Sequence, residues 1–273
     1  MSNTVLKAAV DGFFRENKIE FYSVLSYSDV RVTAQNIMDR EAFTPRSVIV
    51  FLLPYYTGEC ENLSVYSASL DYHIAIRDLT SRLVDRIQEV APAASAKGYG
   101  DHSPIDERHA AISAGLGILG KSGLIINEKY GTYVFVADLI TDIEPELFGA
   151  TAPLPLKTCH GCGLCLKSCP TGILRGEGED CLSAITQRKG ELTESEISLM
   201  REYNTVWGCD ICQSVCPYNL EPIPTPIDFF FEERIPLLTT ELLLSMDKAS
   251  FSRRAFAWRG RRTVERNLEL LGY

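Results

Sequence analysis

Eight of the nine cysteines in this 273-residue chain lie within positions 159–216, where their spacing suits the binding of iron–sulfur clusters. The first group has the spacing C-x2-C-x2-C-x3-C-P and consists of Cys159, Cys162, Cys165 and Cys169-Pro170. In this bacterial pattern, three closely spaced thiolates bind one [4Fe–4S] cluster and the fourth binds a second cluster. A zinc site typically uses two well-separated pairs of ligands, so the close quartet favours iron–sulfur ligation.

A second cysteine group is one ligand short of the first. It has the spacing C-x2-C-x3-C-P, and Cys181 lies between the two groups and can supply the missing thiolate. The eight thiolates then suffice for two [4Fe–4S] clusters. Because the fourth ligand of each group crosses over, we predict that Cys159, Cys162, Cys165 and Cys216 bind one cluster, and that Cys169, Cys181, Cys209 and Cys212 bind the other.

The remaining cysteine, Cys60, stands alone and is predicted to be a small buried apolar side chain. The N-terminal sequence has no basic stretch followed by a long apolar segment, so no export signal is expected. The longest apolar run, Val48–Leu53, is far shorter than the ~20 residues that cross a bilayer. We therefore expect a cytoplasmic protein with no membrane association, in which disulfides are unfavoured.

The chain is acidic, with 27 basic and 36 acidic residues and a formal net charge of −9. Phosphate binding needs an excess of Lys and Arg, so this charge argues weakly against a dominant nucleic-acid role. The segment 251–273 is an exception, because it holds six arginines and two acids. On charge alone, we favour a solvated helix face over a phosphate-binding one for this segment.

The roughly 150 residues before the cysteines exceed what an electron carrier needs, which indicates a second cofactor or a substrate site. Apolar patterning predicts a helical region at 1–45, a buried strand at 47–53 and helices at 66–90 and 105–116. Two segments, 124–127 and 132–137, are predicted to form a strand pair. Proline-rich stretches then divide the chain into an α/β domain (1–150), a cluster domain (151–226) and a helical C-terminal segment (227–273).

Several segments together resemble the epoxyqueuosine reductase family. They are Asp101-His-Ser-Pro-Ile-Asp-Glu107-Arg108, Ala114-Gly-Leu-Gly-Ile-Leu-Gly-Lys121-Ser122, Leu124-Ile-Ile-Asn127, Tyr130-Gly, Asp138-Leu-Ile-Thr-Asp142, Asp71-Tyr-His73, Cys181-Leu-Ser183 and Trp207-Gly-Cys-Asp-Ile-Cys-Gln-Ser-Val-Cys-Pro217. The resemblance runs from about residue 45 to the C-terminus. Reductive dehalogenases are similar in architecture, but the loops of this chain are of the queuosine type.

The resemblance implies an α+β fold, in which a nitroreductase-like α/β domain holding base-off cobalamin precedes a bacterial dicluster ferredoxin-like domain. It implies reduction of epoxyqueuosine to queuosine in tRNA, or reduction of a related smaller substrate, with electrons from a donor such as ferredoxin or flavodoxin. The chain is expected to be a short form without the C-terminal HEAT-like extension that helps full-length members bind tRNA. The alternative function is that of an electron-transfer protein that reduces a partner such as a corrinoid protein.

The resemblance also suggests roles for individual residues. Asp101 matches the aspartate that protonates the departing oxygen, and a carboxyl beside an apolar corrinoid face could keep a proton at neutral pH. Its alternative role is to cap the helix that begins near Pro104. Lys121 and Ser122 are candidates for contacts to the corrinoid side chains. The segment 71–73 lies where the family approaches its cofactor, although a lone histidine such as His73 is more often structural.

Overall fold

The computed structural model describes residues 3–273. The helices are α1 (Asn3–Glu16), α2 (Gln35–Met38), α3 (Val65–Ala68), α4 (Tyr72–Val90), α5 (Glu107–Ser113), α6 (Leu164–Ser168), α7 (Leu182–Gln187), α8 (Glu194–Glu202), α9 (Ile211–Ser214), α10 (Thr240–Ser245), α11 (Lys248–Ser252) and α12 (Arg261–Leu271). The strands are β1 (Tyr22–Ser26), β2 (Ser47–Pro54), β3 (Ala96–Tyr99), β4 (Ile118–Leu119), β5 (Ile125–Ile126) and β6 (Val134–Thr141). The predicted mixture of helix and sheet is therefore confirmed.

The chain divides into two compact units. Unit 1 contains the residues up to Pro54 together with Ala75–His160, and unit 2 contains Tyr55–Ile74 and Gly161–Tyr273. The predicted cluster segment (151–226), apart from residues 151–160, lies in unit 2 together with the predicted C-terminal segment (227–273). None of the helices within residues 3–273 is long and apolar enough to cross a membrane.

Unit 1 is built on a four-stranded antiparallel sheet with the order β1-β2-β6-β3. Every residue of β2 is buried, because Val50 and Leu52 pack against α5 while Phe51 on the opposite face meets Phe14 of α1 at 5.2 Å between ring centroids. A strand covered on both faces needs an unbroken apolar sequence, and the run at 47–53 supplies it. The predicted buried strand is confirmed.

Three predicted elements differ from the structure. The region predicted to be helical at 1–45 also contains β1, which pairs with the buried strand β2. The helix predicted at 66–90 begins only at Tyr72, because the chain is extended at Ser69 and Asp71 then accepts a hydrogen bond from the N–H of His73 at 3.0 Å. The strand pair predicted from 124–127 and 132–137 is wrong. Instead, β5 pairs with β4, while β6 pairs with β2 and β3 in the main sheet.

The core of unit 2 surrounds Trp207, which is fully buried and donates its indole N–H to the Tyr66 hydroxyl at 3.1 Å. Asn267 of α12 is also fully buried, and its amide donates to the carbonyls of Thr186 and Val206. In the arginine-rich segment, Arg254 is 6% exposed and donates to the Glu233 carbonyl at 2.7 Å. The expectation of a uniformly solvated face therefore fails for part of this segment.

Candidate iron–sulfur and catalytic sites

The nine cysteines are all free thiols. Seven of the eight predicted cluster ligands lie in unit 2, and Cys159 lies at the end of unit 1. No three His, Cys, Asp or Glu side chains among the described residues are close enough to share one metal ion. A [4Fe–4S] cube places one thiolate on each of four irons, so it needs a wider set of donors than a mononuclear zinc site does.

Unit 2 brings together the four thiols predicted to bind the second cluster. Burial raises the pKa of both Cys209 and Cys212 to about 12, and the neighbouring Cys181 thiol adds to the shift in each case. Cys169 acts on Cys209 in the same way. Each member of this quartet is thus within electrostatic range of another member, and Cys165 of the other predicted set also raises the pKa of Cys212. The raised pKa keeps Cys209 and Cys212 as neutral thiols, and a bound metal centre would stabilise the thiolate forms that ligation needs.

Cys169 differs from the other members of the quartet, because its pKa is lowered. Burial raises the pKa, but hydrogen bonds from the N–H of Leu174, from the Thr171 hydroxyl and from further backbone N–H groups outweigh that effect. These donors come from the turn that follows the cysteine, where the Thr171 hydroxyl lies 3.8 Å from Sγ. Such a thiol is ready to act as a thiolate ligand.

A buried carboxylate fixes the loop that carries Cys209 and Cys212. Asp210 accepts hydrogen bonds from the Ser64 hydroxyl and the Val65 N–H, both at 2.6 Å, and from the Gln213 amide at 2.8 Å. Gly208 precedes this loop with a φ of +81°, and its N–H donates to the Thr186 hydroxyl at 3.0 Å. Thr186 belongs to α7, which begins directly after Cys181, so this bond ties the Cys209 loop to the helix of the intervening ligand.

Asp210 and Ser64 thus position the ligand loop, although no sequence motif predicts this role. The only available signal was the place of Asp210 between two ligands, because Ser64 lies 146 positions away in the chain.

In unit 1, Asp101 lies exposed on the loop between β3 and α5. Its φ is +65°, a conformation that costs energy in a non-glycine residue, and its N–H donates to Oε1 of Glu107 at 3.1 Å. Asp106 caps α5 by accepting the N–H of His109 at 3.0 Å. The capping role considered for Asp101 is therefore taken by Asp106, so Asp101 occupies a strained conformation for another reason.

A group of buried acids lies behind Asp101. Burial raises the pKa of Glu107 to about 8, and Asp138 and Asp101 raise it further. Asp138 is fully buried in β6, on the same strand face as Ile140, which packs against Ala110 of α5. Burial raises the pKa of Asp138 to about 7, and the Ser103 hydroxyl opposes this shift. Among the described residues, no hydrogen bond of ordinary geometry reaches either carboxylate oxygen of Asp138.

Two tyrosines complete this acidic group. The Tyr99 hydroxyl donates to Oε1 of Glu41 at 3.3 Å, and burial, followed by Glu41 and Asp138, raises its pKa. The Tyr27 hydroxyl is buried without a hydrogen-bond partner among the described residues, and burial and Asp138 raise its pKa. No sequence motif predicts a role for these tyrosines. The one sequence feature that could have indicated this group of acids and tyrosines is Asp138, a single aspartate in an otherwise apolar strand.

Lys121 and Ser122 form the tip of the turn between β4 and β5. The N–H of Gly123 donates to the Gly120 carbonyl at 2.9 Å to close the turn, and Arg108 donates to the Gly123 carbonyl at 3.0 Å. The first turn of α5 thus holds two segments, the Asp101 loop through Glu107 and the Lys121 turn through Arg108.

The same part of unit 1 includes the first predicted cluster ligand, because the N–H of Cys159 donates to the Leu119 carbonyl of β4 at 2.9 Å. A corrin ring carries amide side chains that need polar partners. The exposed Lys121 ammonium and the adjacent Ser122 hydroxyl fit that need.

Two further residues singled out from the sequence, His73 and Cys60, contact neighbouring side chains. His73 pairs through Nδ1 with Oδ1 of Asp71 at 2.7 Å, and its ring stacks on Tyr72 with 4.2 Å between centroids. Cys60 is half-buried, and burial raises its pKa to about 11. Because Arg234 donates to its sulfur at 3.6 Å, Cys60 is not the purely apolar core residue that was expected.

Comparisons with known proteins agree with this arrangement. The profile of a family described as a 4Fe-4S double cluster binding domain matches residues 158–219. An epoxyqueuosine reductase from Listeria monocytogenes is 34% identical over 215 residues, which is 74% of this chain and 54% of that protein. The structure of the epoxyqueuosine reductase from Streptococcus thermophilus superposes with a TM-score of 0.77 at 25% identity, covering 97% of this chain and 80% of that one.

The chain spans only about half the length of some curated relatives that it matches, including those from Listeria monocytogenes and Staphylococcus aureus. The epoxyqueuosine reductase from Leadbetterella byssophila is covered more fully, with 31% identity over 76% of this chain and 68% of that protein. With the cysteine arrangement of unit 2 and the loops of unit 1, this similarity establishes that the chain belongs to the epoxyqueuosine reductase family.

Proposed function

We propose that this chain is an iron–sulfur- and cobalamin-dependent reductase that converts epoxyqueuosine in tRNA to queuosine. The observation that carries the proposal is that five predicted ligands in unit 2 lie within electrostatic range of one another, in a chain from this family: Cys165, Cys169, Cys181, Cys209 and Cys212. Such thiols suit electron-transfer clusters, and the first predicted set, Cys159, Cys162, Cys165 and Cys216, would bind the first cluster. A cytoplasmic location, where thiols stay reduced, is part of the proposal.

In this proposal, unit 1 is a nitroreductase-like α/β domain and unit 2 contains a bacterial dicluster ferredoxin-like domain. Lys121 and Ser122 would contact the amide side chains of cobalamin from their turn. When bound, cobalamin supplies a low-potential cobalt centre that electrons can reach from the clusters. A ferredoxin or flavodoxin would supply those electrons from outside.

The tRNA substrate is supported by a related structure. One epoxyqueuosine reductase was solved with an epoxyqueuosine-modified tRNA-Tyr stem loop, and it superposes on this chain with a TM-score of 0.79 at 22% identity. Removal of the epoxide oxygen as water takes up two electrons and two protons. The protein therefore needs a proton donor at the departing oxygen.

Asp101 is our proposed donor. The structure of the Bacillus subtilis relative is described as having a catalytic aspartate loop swung out of the active site. In this chain, Asp101 lies on an exposed loop, and its N–H donates to the Glu107 side chain. A neutral Glu107 accepts the Asp101 N–H through its carbonyl oxygen, which leaves its proton on the other oxygen. Glu107 thereby holds the Asp101 backbone in place while it is itself neutral.

The test is anaerobic reconstitution with iron, sulfide and hydroxocobalamin, followed by assay on tRNA that contains epoxyqueuosine. We expect about eight irons per chain, a retained base-off Co(II) EPR signal and formation of queuosine. The Asp101→Asn variant should keep the iron and the EPR signal but lose turnover by at least 100-fold. Retention of about eight irons without cobalamin or queuosine would instead indicate the electron-transfer protein, which should reduce a partner corrinoid protein.

A further inference from the structure

A row of hydroxyl and carboxyl groups lies inside unit 1, between Glu41 at its surface and the loop of Asp101. Asp138 stands in the middle of this row and is fully buried. Among the described residues, neither of its carboxylate oxygens has a hydrogen-bond partner of ordinary geometry. A buried carboxyl without such partners lowers stability, so its presence in an apolar interior needs a reason. Proton donation by Asp101 alone does not supply that reason.

Tyr99 connects Asp138 to the surface. It is the partner of Asp138 in the register of β3 and β6, so the two side chains lie on the same face of the sheet. The Tyr99 hydroxyl donates to Oε1 of Glu41 at 3.3 Å, and Glu41 is only half-buried. Burial and the charges of Glu41 and Asp138 raise the Tyr99 pKa, so this hydroxyl releases its proton only as it receives another.

Ser103 connects Asp138 to the loop of Asp101. It is 7% exposed and is separated from Asp101 by a single residue. Its hydroxyl acts on the Asp138 carboxyl, whose pKa it lowers against the effect of burial. Oγ of Ser103 accepts the N–H of Ile105 at 3.3 Å, which fixes its position. A serine hydroxyl both donates and accepts, so it is able to take up one proton while it gives up another.

The proton balance of the proposed reaction supplies the reason for the row. Departure of the epoxide oxygen as water consumes two protons, and the Asp101 carboxyl carries only one. After it has protonated the oxygen, Asp101 is a carboxylate that must be recharged within the same turnover. A substrate in contact with Asp101 covers it from bulk water, which favours a supply through the protein. Asp138 suits this supply, because burial raises its pKa to about 7 and so keeps a proton on it near neutral pH.

We propose that Asp138 recharges Asp101 through the Ser103 hydroxyl and regains its own proton from solvent through Tyr99 and Glu41. The inference rests on the proposed function, because the epoxide oxygen is the final proton acceptor. Asp138 gives its proton to the Ser103 oxygen as Ser103 gives its own to Asp101. The Asp138 carboxylate then takes the Tyr99 proton as Tyr99 takes one from Glu41, which is reprotonated by water. One proton enters from solvent, one reaches Asp101, and no electron moves.

The test compares Tyr99→Phe, Ser103→Ala and Asp138→Asn in the reconstituted protein, with epoxyqueuosine-containing tRNA in H2O and D2O. Each variant should reduce the epoxide about tenfold more slowly, with unchanged KM for tRNA and a larger solvent isotope effect, because the second proton transfer becomes rate-limiting. Tyr22→Phe is the matched control, since the Tyr22 hydroxyl also donates to a carboxylate, Asp11, at 2.5 Å but lies outside the row. It should keep the native rate and isotope effect.

Infrared difference spectra provide a readout that does not depend on activity. A titration between about pH 5 and 9 should show the C=O band of the protonated Asp138 carboxyl in the native protein, and Asp138→Asn should lack this band. Tyr99→Phe and Ser103→Ala should each shift the band, whereas Tyr22→Phe should not. These two variants also test the path on either side of Asp138 if Asp138→Asn does not fold.

Native rates or an unshifted band in both Tyr99→Phe and Ser103→Ala would overturn the inference, as would an equal loss of rate in Tyr22→Phe. An equal loss in Glu107→Gln would place the path through Glu107 and overturn the step through Ser103. A raised KM with an unchanged isotope effect would indicate a structural role only and would also overturn it. Band shifts without any queuosine from the native protein would reject the proposed function, whereas queuosine formation with native rates in the variants would reject this inference alone.

Discussion

The N–H of Asp101 donates to Oε1 of Glu107 at 3.1 Å, so the proposed proton donor is held by a second carboxyl whose pKa burial raises to about 8. Glu107 opens α5 and is partly buried, whereas Asp101 is exposed. One carboxyl thus stays neutral near pH 7 beside another that faces solvent. The pair separates a positioning function, in Glu107, from a proton-donating function, in Asp101.

Replacement of Glu107 should separate these functions. In Glu107→Gln, the amide oxygen still accepts the Asp101 N–H, so turnover near pH 7 should stay within about threefold of the native rate. In Glu107→Ala, the acceptor is lost and the strained Asp101 loop is freed, so turnover should fall about tenfold or more. Native turnover should show an inflection near pH 8, because the ionisation of Glu107 changes the charge beside Asp101 in that range.

The Glu107→Gln variant should lack that inflection, which a pH profile of single-turnover rates would show. Glu128→Gln, which replaces an exposed carboxylate, is the control and should keep the native profile. A Gln variant with an unaltered pH profile would show that Glu107 has no influence on Asp101.

The buried acids should also make folding stability depend on pH. Glu107 and Asp138 have folded pKa values of about 8 and 7, above their unfolded values, so each binds a proton more tightly in the folded state. Their contribution is fully present below about pH 4, and it is lost as the pH rises towards 7 to 8. Between pH 5 and 7, each group should lower the free energy of unfolding by up to about 1.4 kcal/mol per pH unit.

Urea unfolding at several pH values would measure this dependence. Asp138→Asn keeps the shape of the side chain and removes its titration, so the slope between pH 5 and 7 should become shallower. An unchanged slope in that variant would mean that Asp138 is ionised in the folded protein.

The local spacing of the cysteines predicts the two ligand sets. The sequence also predicts β2, because a strand buried on both faces needs an unbroken apolar run. The proximity of Glu107 and Asp138, by contrast, cannot be predicted from the local sequence. It forms because β6 places Asp138 on the same face as Ile140, against α5, and no local pattern records that pairing.

The misassigned strand pair has a comparable cause. Asn127 and Gly131 exchange backbone hydrogen bonds and close a tight turn, and the Asn127 amide donates to the Leu116 carbonyl at 2.8 Å. These bonds direct β5 towards β4 rather than towards β6. Alternating apolar residues identify strands but do not identify their partners.

The role of Cys181 can be tested by iron content. Cys181→Ser should remove one ligand of the second cluster and lower the iron content of the reconstituted protein from about eight to about four atoms per chain. Cys60→Ser is the matched control, because Cys60 contacts Arg234 and lies outside both ligand sets. Retention of about eight irons in Cys181→Ser would show that another group completes the second cluster.

Gly208 tests how the ligand loop is held. A Cβ at this position would lie 2.4 Å from Cβ of Ser64, the residue whose hydroxyl anchors Asp210, and the φ of +81° already disfavours any other residue. Gly208→Ala should therefore displace the loop of Cys209 and Cys212, and it should lower the unfolding free energy by more than ~1 kcal/mol. Gly176→Ala is matched to it, because Gly176 has a φ of +77° and no atom within 4 Å of the added Cβ. The difference between the two variants separates the effect of the clash from that of the backbone strain. Because iron binding depends on the ligand loop, only Gly208→Ala should also lower the iron content. Equal effects of both variants would show that the contact with Ser64 does not position the cluster ligands.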